Sequence, residues 1–157
     1  MSPFRSLKQY LEENGVKYEH LVHSEAYTSQ EKAALSHTPG KQRAKSVIIW
    51  GNGKLYMVVI PAHKKIDLEK TKKCLGYRTV RLAKEDEFAN IFSGCELGAL
   101  HVFGNLYDIP VLVDALLGEQ EEIFFTACTH HDTVKITFAD FERLVNPTKC
   151  DVVLDID

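Results

Sequence analysis

The stretch Ala44-Lys45-Ser46-Val47-Ile48-Ile49-Trp50-Gly51-Asn52-Gly53-Lys54-Leu55-Tyr56-Met57-Val58-Val59-Ile60 decides how this chain is read. β-Branched and aromatic residues fill both halves, and the Asn-Gly step between them accepts the positive φ values of a tight turn at low cost. A β-hairpin is predicted. Neither half alternates strictly between polar and apolar residues, so both strands are expected to be buried on two faces.

On the N-terminal side, Ser2 followed by Pro3 reads as an N-cap with proline at the first helical position. Leu7, Tyr10 and Leu11 then give one apolar stripe, and Gly15 ends the helix. Residues 16–22 are predicted as a strand. Thr28-Ser29-Gln30-Glu31 matches a capping box that opens a short helix through Leu35, and residues 37–40 break it. On the C-terminal side of the hairpin, Asp67 is predicted to cap a helix over 68–75 that Gly76 terminates, with a strand over 78–82 and a short helix over 84–92.

The stretch 94–114, GCELGALHVFGNLYDIPVLVD, follows. Gly94, Gly98 and Gly104 lie too close together for a helix or a regular strand, and they predict a shaped loop. Such a loop lets a ligand approach the main chain and aims peptide N–H groups at phosphate, carboxylate or a developing oxyanion; an ordinary surface loop with turn glycines is the other reading. Residues 109–113 then form an apolar run with Pro110 near its start, where a strand tolerates it. Strands over 123–128 and 134–138 are predicted around Thr129-His130-His131-Asp132, and a helix over 139–144. The irregular alternation points to a single domain, 1–157, of mixed α/β class with a mostly antiparallel central sheet flanked by short helices.

Bulk properties narrow the function classes. The 157 residues, 45% of them hydrophobic, suit one globular domain. No apolar run approaches the roughly 20 residues of a membrane span, and the N-terminus MSPFRSLKQYLEENG lacks the apolar core of a signal peptide, so a cytoplasmic protein with no membrane partner is expected. Cys74, Cys95, Cys128 and Cys150 are scattered without a C-x-x-C pair and are expected as reduced thiols. The net charge of -3 hides an asymmetry: eleven Lys/Arg face two acids between Lys41 and Arg81, a local balance of +9 that leaves -12 for the rest. One basic face on an acidic protein suits a short piece of phosphate backbone better than extended nucleic acid. Lys70, Lys72 and Lys73 read instead as a solvated helix face.

Several segments, in this order, carry a family resemblance: Lys45 opening the hairpin; Val58-Val59-Ile60-Pro61-Ala62 with His63-Lys64-Lys65 and Asp67 behind it; Gly98-Ala99-Leu100-His101-Val102-Phe103-Gly104; Val111-Leu112-Val113-Asp114; and Phe125-Thr126-Ala127 before His130. They are similar to the YbaK/ProX family of free-standing aminoacyl-tRNA deacylases and the related insertion domain of bacterial prolyl-tRNA synthetases. The resemblance implies hydrolysis of the ester joining a wrong amino acid to tRNA, with the acceptor end of tRNA as partner and prolyl-tRNA synthetase as a second one. It assigns the family's key lysine to Lys45, its pocket glycine to Gly98, its small polar residue after the penultimate strand to Thr126, and a histidine of the alanine-clearing branch to His130. This chain departs from the family pattern at Val102, where a proline is frequent, and at Thr126-Ala127-Cys128, where Asn-Ala-Gly is common. Those positions shape the pocket, so alanine, serine, threonine and cysteine all stay open as the amino acid removed.

The residues fit that chemistry on their own terms. An aminoacyl ester is already activated, so a deacylase needs a placed water and a stabilised oxyanion rather than a strong nucleophile. No Gly-x-Ser-x-Gly elbow, catalytic-Cys motif or metal-ligand spacing is present, and neither cofactor nor metal is expected. Lys45 is expected to hold a phosphate of the terminal adenosine or the ester carbonyl, although its position alone also suits an ordinary strand-edge lysine. Gly98 and Ala99 are expected to offer peptide N–H groups to the oxyanion, His130 to position water or the substrate amine, and Tyr27, His63, His101, Gly104 and Thr126 to line the pocket. Lys41, Arg43, Lys64 and Lys65 are expected to meet tRNA phosphates. A catalytically silent tRNA- or synthetase-docking module is the alternative from a different class.

Overall fold

The structure, a computed structural model, describes residues 3–22 and 42–155. The Ser2 cap, the capping box and helix at 28–35, the break at 37–40, Tyr27 and Lys41 lie outside the described residues.

The hairpin forms as its sequence predicts. Strand β1 (Glu19–Val22) precedes it; β2 (Ala44–Gly51) and β3 (Lys54–Pro61) then pair antiparallel in a register that sets Ala44 opposite Pro61 and Gly51 opposite Lys54. Asn52 and Gly53 carry the turn with φ of 52° and 80°, the two positive values that a primed turn requires. β3 is buried on both faces: Met57 and Val59 join the main core, while Tyr56, Val58 and Ile60 join a second, smaller one. This double burial is why β3 shows no polar alternation, and each such side chain contributes about 1.5–3 kcal/mol. β2 departs from the expectation, since Lys45 is exposed and Ser46, Val47 and Trp50 are half-buried. One of its edges is uncovered there.

Helix α1 (Pro3–Glu13) sets Leu7 and Leu11 into the main core. Helix α2 (Leu68–Leu75) starts where Asp67 accepts from the N–H groups of Glu69 and Lys70, and stops at Gly76 with φ of 73°. It covers the second core with Leu68 and Leu75. Strand β4 (Val80–Leu82) and the short helix α3 (Glu85–Phe88) follow. After the glycine loop come β5 (Val111–Asp114), β6 (Glu122–Thr126), β7 (Asp132–Thr137), α4 (Phe138–Val145) and β8 (Thr148–Cys150).

The class is mixed α/β with mostly antiparallel pairing, and the strands divide between two sheets, ordered β1-β7-β6 and β4-β2-β3-β5-β8. β3–β5 and β5–β8 are the parallel pairs. The main core lies between the sheets, closed by α1 and α4 through Phe103, Phe125, Phe138 and Phe141.

The cysteines correct the sequence reading. Cys74 is bonded to Cys150 and Cys95 to Cys128. Spacing along the chain, 76 and 33 residues, conceals both pairs, because the tertiary fold brings α2 beside β8 and the glycine loop beside the turn after β6.

A candidate active site on the open edge of β2

Along its outer edge β2 changes partner. Arg43, just before it, bridges to Phe124 of β6, and Ile49–Gly51 pair with β4. Between those partners the sheet parts and leaves a cleft of about 340 Å³. Lys45, Ser46, Val47 and Ile48 form its floor; Leu82, Ala83, Glu85 and Phe88 stand on the β4 side; Leu97, Gly98, Leu100 and Thr126 stand on the other. A second recess, beside the hairpin turn at Trp50 and Arg81, holds none of the expected site residues.

The cleft therefore brings together Lys45, Gly98 and Thr126, which are far apart in sequence. The Lys45 pKa is lowered, first because neighbours displace water from its ammonium and second because Lys65 is close. Among the described residues it has no acidic partner, so its charge is available to an anion in the cleft. Gly98 is the third residue of the turn Glu96-Leu97-Gly98-Ala99, closed by Ala99 N–H donating to the Glu96 carbonyl at 3.1 Å. Its φ of 80° is what a type II turn demands at that position. A Cβ built on Gly98 would stand 3.5 Å from His130 Nε2, which places His130 beside the turn.

This turn is fastened to the segment after β6. Cys128 N–H donates to the Ala99 carbonyl and Glu96 N–H to the Cys128 carbonyl, both at 2.8 Å. His130 N–H donates to Glu96 Oε1 at 2.8 Å, Thr126 Oγ1 donates to the Leu100 carbonyl at 3.1 Å, and the Cys95–Cys128 bond closes the same junction. Ser46 Oγ donates to the His101 carbonyl at 2.7 Å. Both hydroxyl protons are thus committed to carbonyls, and Ser46 and Thr126 present lone pairs to whatever enters. Glu96 and Ser46 escaped the sequence reading, because an isolated acid and a serine within an apolar strand carry no motif.

Other expected site residues fall elsewhere. Ala99 is fully buried and its N–H is spent on Glu96, which leaves Gly98 N–H as the turn's donor. His101 is a core residue, 2% exposed: its Nδ1 accepts from Phe103 N–H at 3.0 Å, so Nε2 carries the proton and donates to Tyr107 Oη at 2.9 Å. Burial lowers its pKa to about 4. Gly104 packs against the interior, where a Cβ would meet Val111 Cγ2 at 2.8 Å and the Ile109 carbonyl at 2.9 Å. Its absent side chain serves packing rather than a ligand. Arg43 is 7% exposed, its pKa lowered by burial, and Nη1 has no hydrogen-bond partner among the described residues, so it is not a surface phosphate contact. His63 and Lys65 are exposed and Lys64 half-buried after β3, outside the cleft lining but on the Lys45 side, as the Lys65 field at Lys45 shows. Lys70 and Lys72 are tied to Asp151, Asp155 and Glu69. Among the described residues no cluster of three or more His, Cys, Asp or Glu side chains is placed to hold a metal, and no helix is long and apolar enough to cross a membrane.

The model of the aminoacyl-tRNA editing domain family matches residues 23–144, most of the chain. The chain belongs to the aminoacyl-tRNA editing domain family. Solved structures agree on the fold of this editing domain. One described as a proposed trans-editing enzyme for prolyl tRNA synthetase superposes with a TM-score of 0.84 at 20% identity, covering 98% of each chain. The hypothetical protein APE2540 gives 0.82 at 21% identity, over 94% of this chain and 99% of its own. A longer protein from Marinobacter aquaeolei VT8, described as a proposed signal transduction protein, gives 0.74 at 18% identity; the match covers 95% of the present editing domain and 30% of that chain. No curated protein matches the sequence.

Proposed function

We propose that this protein is a trans-editing aminoacyl-tRNA deacylase that removes a small amino acid, such as alanine, serine, threonine or cysteine, from a mischarged tRNA. The observation that carries this reading is the meeting of Lys45, without an acidic partner among the described residues, the Gly98 turn and Thr126 in one cleft whose described lining offers no activated nucleophile. Lys45 holds the phosphate of the terminal adenosine or the ester carbonyl. Water adds to the carbonyl carbon, Gly98 N–H donates to the oxyanion, and the bond to the ribose oxygen breaks as that oxygen takes the proton from water. Thr126, with its own proton committed to Leu100, accepts a hydrogen bond from the water or from the substrate ammonium. His130, beside Gly98, borders the same space. Lys64 and Lys65 meet the phosphates that follow, and the similar structure described as a proposed trans-editing enzyme for prolyl tRNA synthetase suggests that synthetase as the partner and source of the error. The reaction belongs to the cytoplasm, where charged tRNA is used.

The test is a panel of tRNA charged in turn with alanine, serine, threonine, cysteine and proline. Hydrolysis of at least one of the first four is expected, well above the spontaneous rate. A protein that binds tRNA yet leaves the whole panel intact is a docking module, and the deacylase reading is then wrong.

A further inference from the structure

The open edge of β2 has a chemistry of its own. Ala62 N–H donates to the Arg43 carbonyl at 2.7 Å, so Arg43, Lys45 and Val47 turn their main-chain groups toward β3. Ala44, Ser46 and Ile48 turn theirs the other way, and Ala83 N–H donating to the Ile48 carbonyl at 2.9 Å is the last bond that β4 makes to this edge. The N–H and carbonyl of Ser46 and the N–H of Ile48 therefore face the cleft, and none has a hydrogen-bond partner among the described residues. Paired main-chain groups are the rule in a folded protein, and an uncovered strand edge is a template for a ligand that supplies the missing partners. Apart from Glu85, the walls beside that edge are apolar: Val47, Leu82, Ala83, Phe88 and Leu97, with Leu82 50% and Leu97 51% exposed although both are large hydrophobic residues.

A flat heterocycle with a donor next to an acceptor suits such a site. In adenine the N6 amino group donates to the Ser46 carbonyl while N1 accepts from Ile48 N–H, and the ring faces lie against the leucines. Uracil can also match the two groups, N3–H donating to the Ser46 carbonyl while a neighbouring carbonyl accepts from Ile48 N–H, but its single ring covers less of the apolar walls than a purine does. An amino-acid methyl group would use the apolar walls and leave the main-chain groups unpaired. We infer that the free edge of β2, from Ser46 to Ile48, reads the adenine of the terminal nucleotide. The inference rests on the deacylase reading, and it assigns the base end of the cleft as distinct from the ester end at Gly98 and Thr126.

The test uses three small substrates, the aminoacyl esters of adenosine, purine riboside and uridine 5′-monophosphates, each carrying the amino acid that is cleaved best from tRNA. Loss of the N6 amino group is expected to lower kcat/KM about tenfold, one hydrogen bond's worth. Equal kcat/KM for all three overturns the adenine reading and leaves the deacylase reading standing. Cleavage of charged tRNA with none of the three esters turned over also overturns it, because the terminal base then contributes too little binding. Failure on charged tRNA and esters alike removes both readings. The variant Leu82→Ala should raise KM for the adenosine ester several-fold with a smaller change in kcat. If it widens the range of amino acids cleaved instead, that lobe holds the amino-acid side chain and the inference is wrong.

Discussion

Protonating His101 would set two donors against each other, its own Nδ1–H and the Phe103 N–H from which Nδ1 accepts. The ring is packed against Phe103 and Tyr107, and no acidic side chain among the described residues contacts it to compensate the charge. With the folded pKa lowered to about 4, the unfolded chain binds the proton first as pH falls. The stability that neutral His101 confers is complete above about pH 6.5 and is lost between there and about pH 4, a total of roughly 3 kcal/mol. In the folded protein the His101 ring resonances should stay in the neutral form at pH 5, and the denaturant midpoint should fall across that window. A His101 ring that titrates near its ordinary value would contradict this. From sequence, His101 reads as a pocket-lining residue and Arg43 as a phosphate contact, since residue type says nothing of which polar side chain a fold encloses. Lys45 was legible only through the resemblance; what the structure adds is its lack of an acidic partner among the described residues.

Among elements, those whose signals are local were the legible ones. The Asn-Gly turn, the Asp67 cap and the Gly76 stop specify the hairpin and α2 from within a few residues, and all three appear where the sequence puts them. β8, three residues long, and the division into two sheets depend on partners distant in the chain, and a short polar strand such as Thr148–Cys150 carries no period to read. The same holds for the junction between the Gly98 turn and the turn after β6, the element on which the ester end of the cleft depends. Closing a loop of 33 residues, the Cys95–Cys128 bond contributes about 3–4 kcal/mol in the chain-entropy account. The double variant Cys95→Ser/Cys128→Ser should lose that much stability and should lower kcat more than it raises KM, because the turn that carries Gly98 loosens while the edge of β2 does not. Chemical denaturation and steady-state kinetics on one preparation test both halves. A stability within 1 kcal/mol of wild type, which is well below the expected loss, would show that the main-chain bonds hold the junction unaided.

At the scale of the whole molecule, the basic segment found by counting charges is partly neutralised in place. Lys70 meets Asp151 and Asp155, Lys72 meets Glu69, and Arg81 meets Glu87 at 2.7 Å, an arrangement that takes these cations out of competition for phosphate. Lys45 and Lys65, without acidic partners among the described residues, remain beside the cleft. On the proposed deacylase reading, a site of this kind would engage the acceptor end and leave the body of a tRNA to others. Lys45 then has to act on a substrate whose affinity comes from few contacts, so its removal should register in the chemical step as well as in binding. The deciding measurement is single-turnover hydrolysis, by saturating wild type and Lys45→Ala, of the charged tRNA that the wild type cleaves fastest. A rate at least about tenfold lower in the variant, a loss of about 1.4 kcal/mol or more of transition-state stabilisation, is predicted for a protein whose unfolding transition is unchanged. A folded Lys45→Ala protein that cleaves at the wild-type rate would contradict the placing of the editing site on the open edge of β2.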